Sequence, residues 1–130
     1  MCTKGKICCL SEIQNTKVIL TEAGKILQEE IENTEKIRSN VEIPEYVIMP
    51  NHFHLIIQLE KEDNTTLGMI IGQIKSISTK RIKMTAIENF AWQERFYEHV
   101  IRNEKSYQKI AEYIINNPMN WEIDENYSEI

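Results

Sequence analysis

Residues 52–59, which read HFHLIIQL, decide the fold of this 130-residue chain. Successive side chains of a β-strand point to opposite faces, so this segment predicts a strand with two chemically different sides. One side carries only apolar residues, namely Phe53, Leu55, Ile57 and Leu59. The other side carries His52, His54, Ile56 and Gln58. The segment therefore predicts a strand with one apolar face and one face that bears two imidazoles.

The segments on either side of this strand predict a small α+β domain. Helices are indicated by apolar residues at helical spacing behind a Thr or Asn cap, and strands by β-branched and aromatic runs. The predicted elements are a hairpin within residues 7–20, a helix over 21–37 capped by Thr21, a strand over 41–49 that pairs only after Pro44, a turn at Pro50-Asn51, the strand over 52–59, a helix over 67–82 capped by Thr66, one or two strands within 90–102, and a helix from Asn103 to Asn116 or Asn117. This order predicts one domain in which an antiparallel sheet is covered by helices on one side.

Length and composition exclude several classes of protein. At 42% apolar and 27% charged residues, the chain is globular, and 130 residues leave little room for a second domain. The longest apolar runs are far shorter than the roughly 20 residues that a membrane span needs. No secretory signal is visible at the N-terminus, which predicts a cytoplasmic protein. The odd number of cysteines, Cys2, Cys8 and Cys9, predicts reduced thiols and no disulfide framework.

Charge is concentrated unevenly along the chain. The net charge is −5, but residues 67–110 hold eight basic and four acidic side chains. This basic segment is the candidate surface for phosphate, and its candidate DNA-binding residues are Lys75, Arg81, Arg95 and Arg102. Those of the second predicted helix, Lys75 and Arg81, are expected to stay in solvent. The alternative for the whole segment is an ordinary solvated surface.

Two pairs of residues are candidates for chemistry. His52 and His54 share one strand face with Cα atoms about 6.5 to 7 Å apart, a spacing that lets both reach one metal ion. The alternative is a pair of exposed histidines, or one packed and one exposed. Tyr113 and Asn117 lie four residues apart and share one edge of the last helix. The alternatives are a half-buried tyrosine and an asparagine that ends the helix before Pro118.

Four stretches of the chain resemble the single-tyrosine HUH transposases, the insertion-sequence and REP-associated group. Residues 46–57, YVIMPNHFHLII, resemble the metal motif of that family, in which a bulky hydrophobic residue separates two histidines. Residues 111–118, AEYIINNP, resemble its nucleophile helix, and residues 92–102, WQERFYEHVIR, resemble the stretch before that helix. Residues 72–75 resemble a lysine-bearing segment of the second helix. The resemblance runs in order along essentially the whole chain.

The resemblance implies a fold, a reaction and roles for particular residues. It implies a ferredoxin-like (RRM-like) antiparallel sheet, with Tyr113 as the nucleophile and His52, His54 and Asn117 as ligands of Mg²⁺ or Mn²⁺. Such a protein would cleave and rejoin single-stranded or hairpin DNA through a 5′-phosphotyrosine. A homodimer is left open. The rival functions are a catalytically inactive DNA-binding remnant and a metal-binding regulator unrelated to DNA.

One departure from the family concerns the start of the chain. Relatives begin with a hydrophobic strand that ends in a sequence like Ile-Cys-Thr, whereas this sequence starts at Met1-Cys2-Thr3. The domain over residues 1–130 is therefore expected to be N-terminally truncated relative to the family. The absent strand would lie beside the strand that bears His52 and His54. The three explanations are a start of the chain that is assigned too late, a decaying gene copy, and another segment that fills the place of the absent strand.

Overall fold

The computed structural model describes residues 1–60, 64–124, 126 and 127 of the chain. Its elements are β1 (Ser11–Gln14), β2 (Lys17–Leu20), α1 (Glu22–Ile37), β3 (Val41–Ile48), β4 (Phe53–Leu59), α2 (Leu67–Lys83) and α3 (Glu104–Asn116), with short 3-10 segments at Lys4–Lys6 and Pro118–Ile123. The α+β class predicted from the sequence is confirmed. No helix in the described part of the chain is long and apolar enough to cross a membrane.

Each of the three helices starts at a capping side chain that the sequence predicts. Thr21 accepts a hydrogen bond from the backbone N–H of Gly24, and Thr66 accepts one from that of Met69. Asn103 caps α3 in the same way, through the N–H of Ser106 at 2.8 Å. Such caps satisfy N–H groups that have no partner inside the helix, and each is worth about 1 kcal/mol.

Hairpins connect the strands within each two-stranded sheet. β1 and β2 pair antiparallel around Asn15 and Thr16, whose φ angles of 51° and 64° suit the right-handed twist of a tight hairpin turn. β3 and β4 pair antiparallel across the turn at Pro50-Asn51. The prediction that β3 pairs only after Pro44 is wrong, because Val41 and Glu42 already pair with β4. A bulge between Glu42 and Glu45 accommodates the proline, which has no N–H to give to the ladder.

The first residues of the chain form a third, short extended segment of the sheet, paired with β4. The amino group of Met1 donates to the carbonyl of Phe53, and the N–H of Phe53 donates back to Met1. Cys2 forms an antiparallel bridge with His52, and Thr3 forms another with Trp92. Across the sheet the order is therefore β3, β4, residues 1–3 and Trp92. Residues 1–3 occupy the place beside β4 where the resemblance puts the first strand.

The two faces of β4 support two separate cores. Phe53 packs with α1 and α2 in the larger core, and Leu55, Ile57 and Leu59 border it. Ile56 faces the other way, into a smaller cluster with Val47, Met49, Ile114 and Trp121. The predicted placement of helices on one face holds for α1 and α2. Helix α3 lies on the opposite face, which is the face that carries the histidines.

The predicted strands within residues 90–102 are wrong. All of these residues are described, and only the bridge at Trp92 joins them to the sheet. Phe90 and Trp92 instead pack edge to face at 5.0 Å, and the indole N–H of Trp92 donates to the Ser78 hydroxyl at 3.2 Å. Phe90 and Trp92 are therefore anchors for an irregular connection, which leads the chain to α3.

Candidate metal and tyrosine site

His52 and His54 lie side by side between the sheet and α3. Alternation along the strand sends both imidazoles to the same face, and their ring centroids are 4.9 Å apart in an edge-to-face arrangement. His52 is fully buried. The ring of Tyr113, on α3, meets that of His54 at 5.5 Å. The structure therefore brings both predicted metal ligands and the predicted nucleophile together.

Asn51 determines which nitrogen of His52 carries the proton. The Asn51 amide nitrogen donates to two backbone carbonyls, those of Lys6 at 3.3 Å and Asn126 at 2.7 Å. These contacts fix the amide orientation, so the oxygen of Asn51 is the atom that faces His52 Nδ1 at 2.8 Å. An amide oxygen can only accept, which makes Nδ1 the protonated nitrogen and leaves the lone pair on Nε2. Metal-binding histidines are commonly oriented in this way by an acceptor on the second nitrogen.

Three buried polar atoms at this site have no hydrogen-bond partner among the described residues. They are His52 Nε2, His54 Nε2 and Asn117 Oδ1. Leaving a buried polar atom unpaired costs about 1–3 kcal/mol, so three in one place call for an explanation. Two imidazole nitrogens and one amide oxygen are donors that divalent metal ions accept, and the residues present fit such an ion. No three His, Cys, Asp or Glu side chains in the described ranges form a metal-binding group, so the set depends on Asn117.

Asn117 reaches the site from the end of α3. Its residue is 2% exposed, and its amide nitrogen donates to the carbonyl of Tyr113 at 3.2 Å, one turn earlier. This contact leaves the amide oxygen as the free end. Tyr113, at the other end of that turn, is 55% exposed. The edge of α3 that carries both residues therefore presents the buried Oδ1 atom of Asn117, which could bind a metal ion, and the exposed phenol of Tyr113.

Burial holds both histidines in their neutral form. The pKa of His52 is lowered to about 4, first by loss of hydration and then by the neighbouring His54. Asp124 and the Asn117 side chain act in the opposite direction on the same pKa. Burial also lowers the pKa of His54 to about 4, again against the attraction of Asp124. Both rings are therefore neutral near pH 7, and neutral imidazole is the form that binds metal ions.

We expect the affinity of the site for Mn²⁺ to change little on mild acidification. Two ordinary imidazoles would lose roughly a hundredfold in affinity between about pH 7.5 and pH 5.5, because protons would compete for both. With both pKa values lowered to about 4, the change should stay below about twofold. Titration calorimetry with Mn²⁺ at the two pH values measures it, and a hundredfold loss would contradict the neutral pair.

Sequence reasoning missed two residues at this site, Asn51 and Asp124. Asp124 follows the 3-10 segment Pro118–Ile123, and its Oδ2 lies 3.7 Å from His52 Nε2. Trp121 of the same segment stacks near His52 at a centroid distance of 6.1 Å. The contacts of Asp124 and Trp121 with His52 join residues far apart in the chain, and no local sequence pattern predicts them. The asparagine beside His52 was the one available signal, since its side chain can orient the imidazole.

The four predicted DNA-binding cations are placed differently from one another. Arg95 and Arg102 are exposed, as their predicted role requires. Arg81 stays partly in solvent, with 38% of its side chain exposed, and its guanidinium also pairs with Glu29 at 2.6 Å and with Glu30 at 2.8 Å on α1. Lys75 is half-buried, and its Nζ donates to the carbonyls of residues 93 and 94 at 3.1 and 3.3 Å. Arg81 and Lys75 therefore contact other parts of the chain, and Arg95 and Arg102 are the exposed residues of these four.

Comparisons with known proteins agree on one family. Residues 9–117 match the family model described as IS200-like transposase. An uncharacterized protein of Haemophilus influenzae is 34% identical over 98% of this chain and 82% of its own length. A REP-associated tyrosine transposase of Escherichia coli is 33% identical over 60% of this chain and 44% of its own length. A solved structure of a REP-associated tyrosine transposase bound to a REP hairpin is 32% identical, with a TM-score of 0.64 over 77% of this chain and 57% of that chain.

Proposed function

This chain belongs to the IS200-like transposase family, and we propose that it is a metal-dependent enzyme that cleaves and rejoins single-stranded DNA near hairpins. The proposed covalent intermediate is a 5′-phosphotyrosine on Tyr113. One observation carries this proposal: three buried, unpartnered donor atoms converge beside an exposed tyrosine. A site built only for folding would not leave His52, His54 and Asn117 unsatisfied together.

The chemistry assigned to Tyr113 is an in-line displacement at phosphorus. Its phenol loses a proton, the oxygen bonds to the phosphorus, and the bond from phosphorus to the 3′-oxygen breaks. That oxygen takes up a proton and leaves as a free 3′-hydroxyl, which can later reverse the reaction on a different strand. Because the phosphodiester bond is exchanged for another ester, no external energy source is needed.

The proposed metal ligands are His52, His54 and Asn117, and the proposed ion is Mg²⁺ or Mn²⁺. A bound divalent ion would polarise the phosphate and offset the negative charge that develops during displacement. Imidazole nitrogen is softer than carboxylate oxygen, so this donor set favours Mn²⁺ over Mg²⁺. Asn51 supports the arrangement by keeping the lone pair of His52 on Nε2.

The proposed partner is single-stranded or hairpin DNA. Support comes from the solved relative, which is bound to a REP hairpin, and from the exposed cations of residues 67–110. Tyr97 is fully exposed in the same segment and is free to stack on an unpaired base, whereas Trp92 is committed to the core.

We expect two arginines of the basic segment to contribute to the salt dependence of DNA binding. Arg95→Ala or Arg102→Ala should each reduce the slope of log affinity against log salt for single-stranded DNA by about 0.7, since each removes one phosphate contact. Arg81→Ala should leave that slope unchanged and lower stability instead, because Arg81 pairs with α1. Fluorescence anisotropy across a salt series measures the slopes. Unchanged slopes in both exposed variants would place the DNA surface elsewhere.

The alternative function is a DNA-binding remnant without catalytic activity. The test is an end-labelled single strand with a hairpin, incubated with the full chain and Mn²⁺ and run on a denaturing gel. Cleavage with a protease-sensitive shifted band supports the enzyme. Salt-dependent binding without cleavage across many hairpins supports the remnant, and absence of salt-dependent binding supports a regulator unrelated to DNA.

A further inference from the structure

We infer that the carboxylate of Asp124 lies beside the metal centre, outside its set of direct ligands, and supplies a negative charge close to the ion. This inference rests on the proposed function, because it assumes that His52, His54 and Asn117 hold a divalent ion. It assigns the C-terminal segment a role in metal binding that the histidine motif alone does not include.

Two acceptor atoms, one on His52 and one on Asp124, face each other at this site. Nε2 of His52 carries a lone pair, since Asn51 holds the proton on Nδ1. The Oδ2 atom of Asp124 lies 3.7 Å from that nitrogen, which is too long for a hydrogen bond. A lone pair that faces a carboxylate is unfavourable unless a cation lies between the two. The cation that would relieve this contact is the ion held by His52, His54 and Asn117, next to which the carboxylate lies.

The side chains of both Asp124 and His52 are buried. The side chain of Asp124 is 6% exposed and that of His52 is 1% exposed, so neither charge nor lone pair is solvated by bulk water. The other carboxylate oxygen accepts from the backbone N–H of Asn126 at 2.8 Å, which leaves Oδ2 as the oxygen directed at His52. A buried carboxylate with a neutral imidazole opposite needs a positive partner.

The positive charge of a divalent ion at this site needs a compensating negative charge. Two imidazoles and one amide are neutral donors, so they compensate none of the charge of a divalent cation in a buried site. Residues 111–130 hold five acidic and no basic side chains, which would repel a DNA phosphate without an intervening cation. Asp124 beside the ion supplies the missing charge, and the ion in turn shields the charge of Asp124 from the phosphate.

Asp124→Asn should weaken Mn²⁺ binding by at least about tenfold, since it removes the charge and keeps the shape. The matched control is Glu122→Gln, which removes an equal charge two residues away from an exposed side chain. That control should change the affinity by less than about twofold, because an exposed charge is screened. Titration calorimetry on the full chain measures both, and urea unfolding shows whether the variants remain folded.

The possible results separate this inference from the proposed function. Equal Mn²⁺ affinity in the wild-type chain and a folded Asp124→Asn variant overturns the inference and leaves the histidine site intact. Equal losses of Mn²⁺ affinity in Asp124→Asn and Glu122→Gln also overturn it, because they indicate a non-specific effect of the net charge of the chain. A wild-type chain that binds no Mn²⁺ overturns the proposed metal centre itself. If Asp124→Asn fails to fold, Asp124→Glu replaces it, and full retention of affinity there with its longer side chain supports a carboxylate at this place.

Discussion

Tyr113→Phe is expected to abolish the covalent protein–DNA adduct completely while folding, Mn²⁺ affinity and DNA affinity persist. The substitution removes one oxygen atom from a side chain that is 55% exposed, so little packing is lost. The ring itself remains in contact with His54. A tyrosine with a structural role would show its defect in stability first, whereas a nucleophile shows it only in the chemistry.

The measurement is a denaturing gel of end-labelled hairpin DNA with Mn²⁺, in which the adduct is a protease-sensitive shifted band. Tyr46→Phe is the matched control, because the Tyr46 hydroxyl contacts Gln28 and Glu32 of α1, on the face of the sheet opposite the histidines. The control should form the adduct at the wild-type level. An adduct that survives in Tyr113→Phe would falsify the assignment and direct the search to another residue.

His52→Ala and His54→Ala are each expected to weaken Mn²⁺ binding by more than roughly a hundredfold. Loss of a residue that merely supports a ligand already costs about 10- to 100-fold, and loss of a ligand itself should cost more. The two unpartnered Nε2 atoms make both rings candidates for direct ligands. The wild-type chain should bind one Mn²⁺ ion.

Titration calorimetry gives the affinity and the number of sites, and circular dichroism shows that the variants are folded. His99→Ala serves as control, because His99 is exposed and is the third histidine of the chain. It should leave Mn²⁺ binding unchanged. Wild-type affinity in either folded variant at positions 52 or 54 would remove the metal assignment.

Much of the fold could be predicted because its signals are local. Thr21, Thr66 and Asn103 each sit directly before a helical apolar pattern, and each cap bonds only three residues ahead. The two faces of β4 could likewise be read from alternation alone. In these places the sequence neighbours of a residue determine its structure, so the pattern and the outcome agree.

The failed predictions concern residues whose partners are distant in the chain. The aromatic and β-branched run over 90–102 has the composition of a strand, but Trp92 is held by Ser78 and Thr3 and not by a neighbouring strand. Arg81 keeps 38% of its side chain exposed, as the spacing along α2 predicts, but its ion pairs with α1 were not predicted. Its partners Glu29 and Glu30 lie about fifty residues earlier on α1, where spacing along α2 gives no information.

The candidate site, like the fold, could be predicted only where local spacing relates its residues. His52 and His54 share a face by strand geometry, and Tyr113 and Asn117 share an edge by helix geometry, so each pair could be proposed from spacing. Only the resemblance to a known family joined the two pairs, and the structure brings them together. Asp124 could not be found, because its approach to His52 depends on how the C-terminal segment turns after α3.

The unpartnered atoms at positions 52, 54 and 117 also bear on the stability of the metal-free chain. Leaving a buried polar atom unpaired costs about 1–3 kcal/mol, in a domain whose total stability is only about 5–15 kcal/mol. A divalent ion at these atoms would supply the missing partners, and a ligand that binds only the folded state shifts the unfolding equilibrium toward that state. The chain should therefore unfold at a lower temperature without Mn²⁺ than with it.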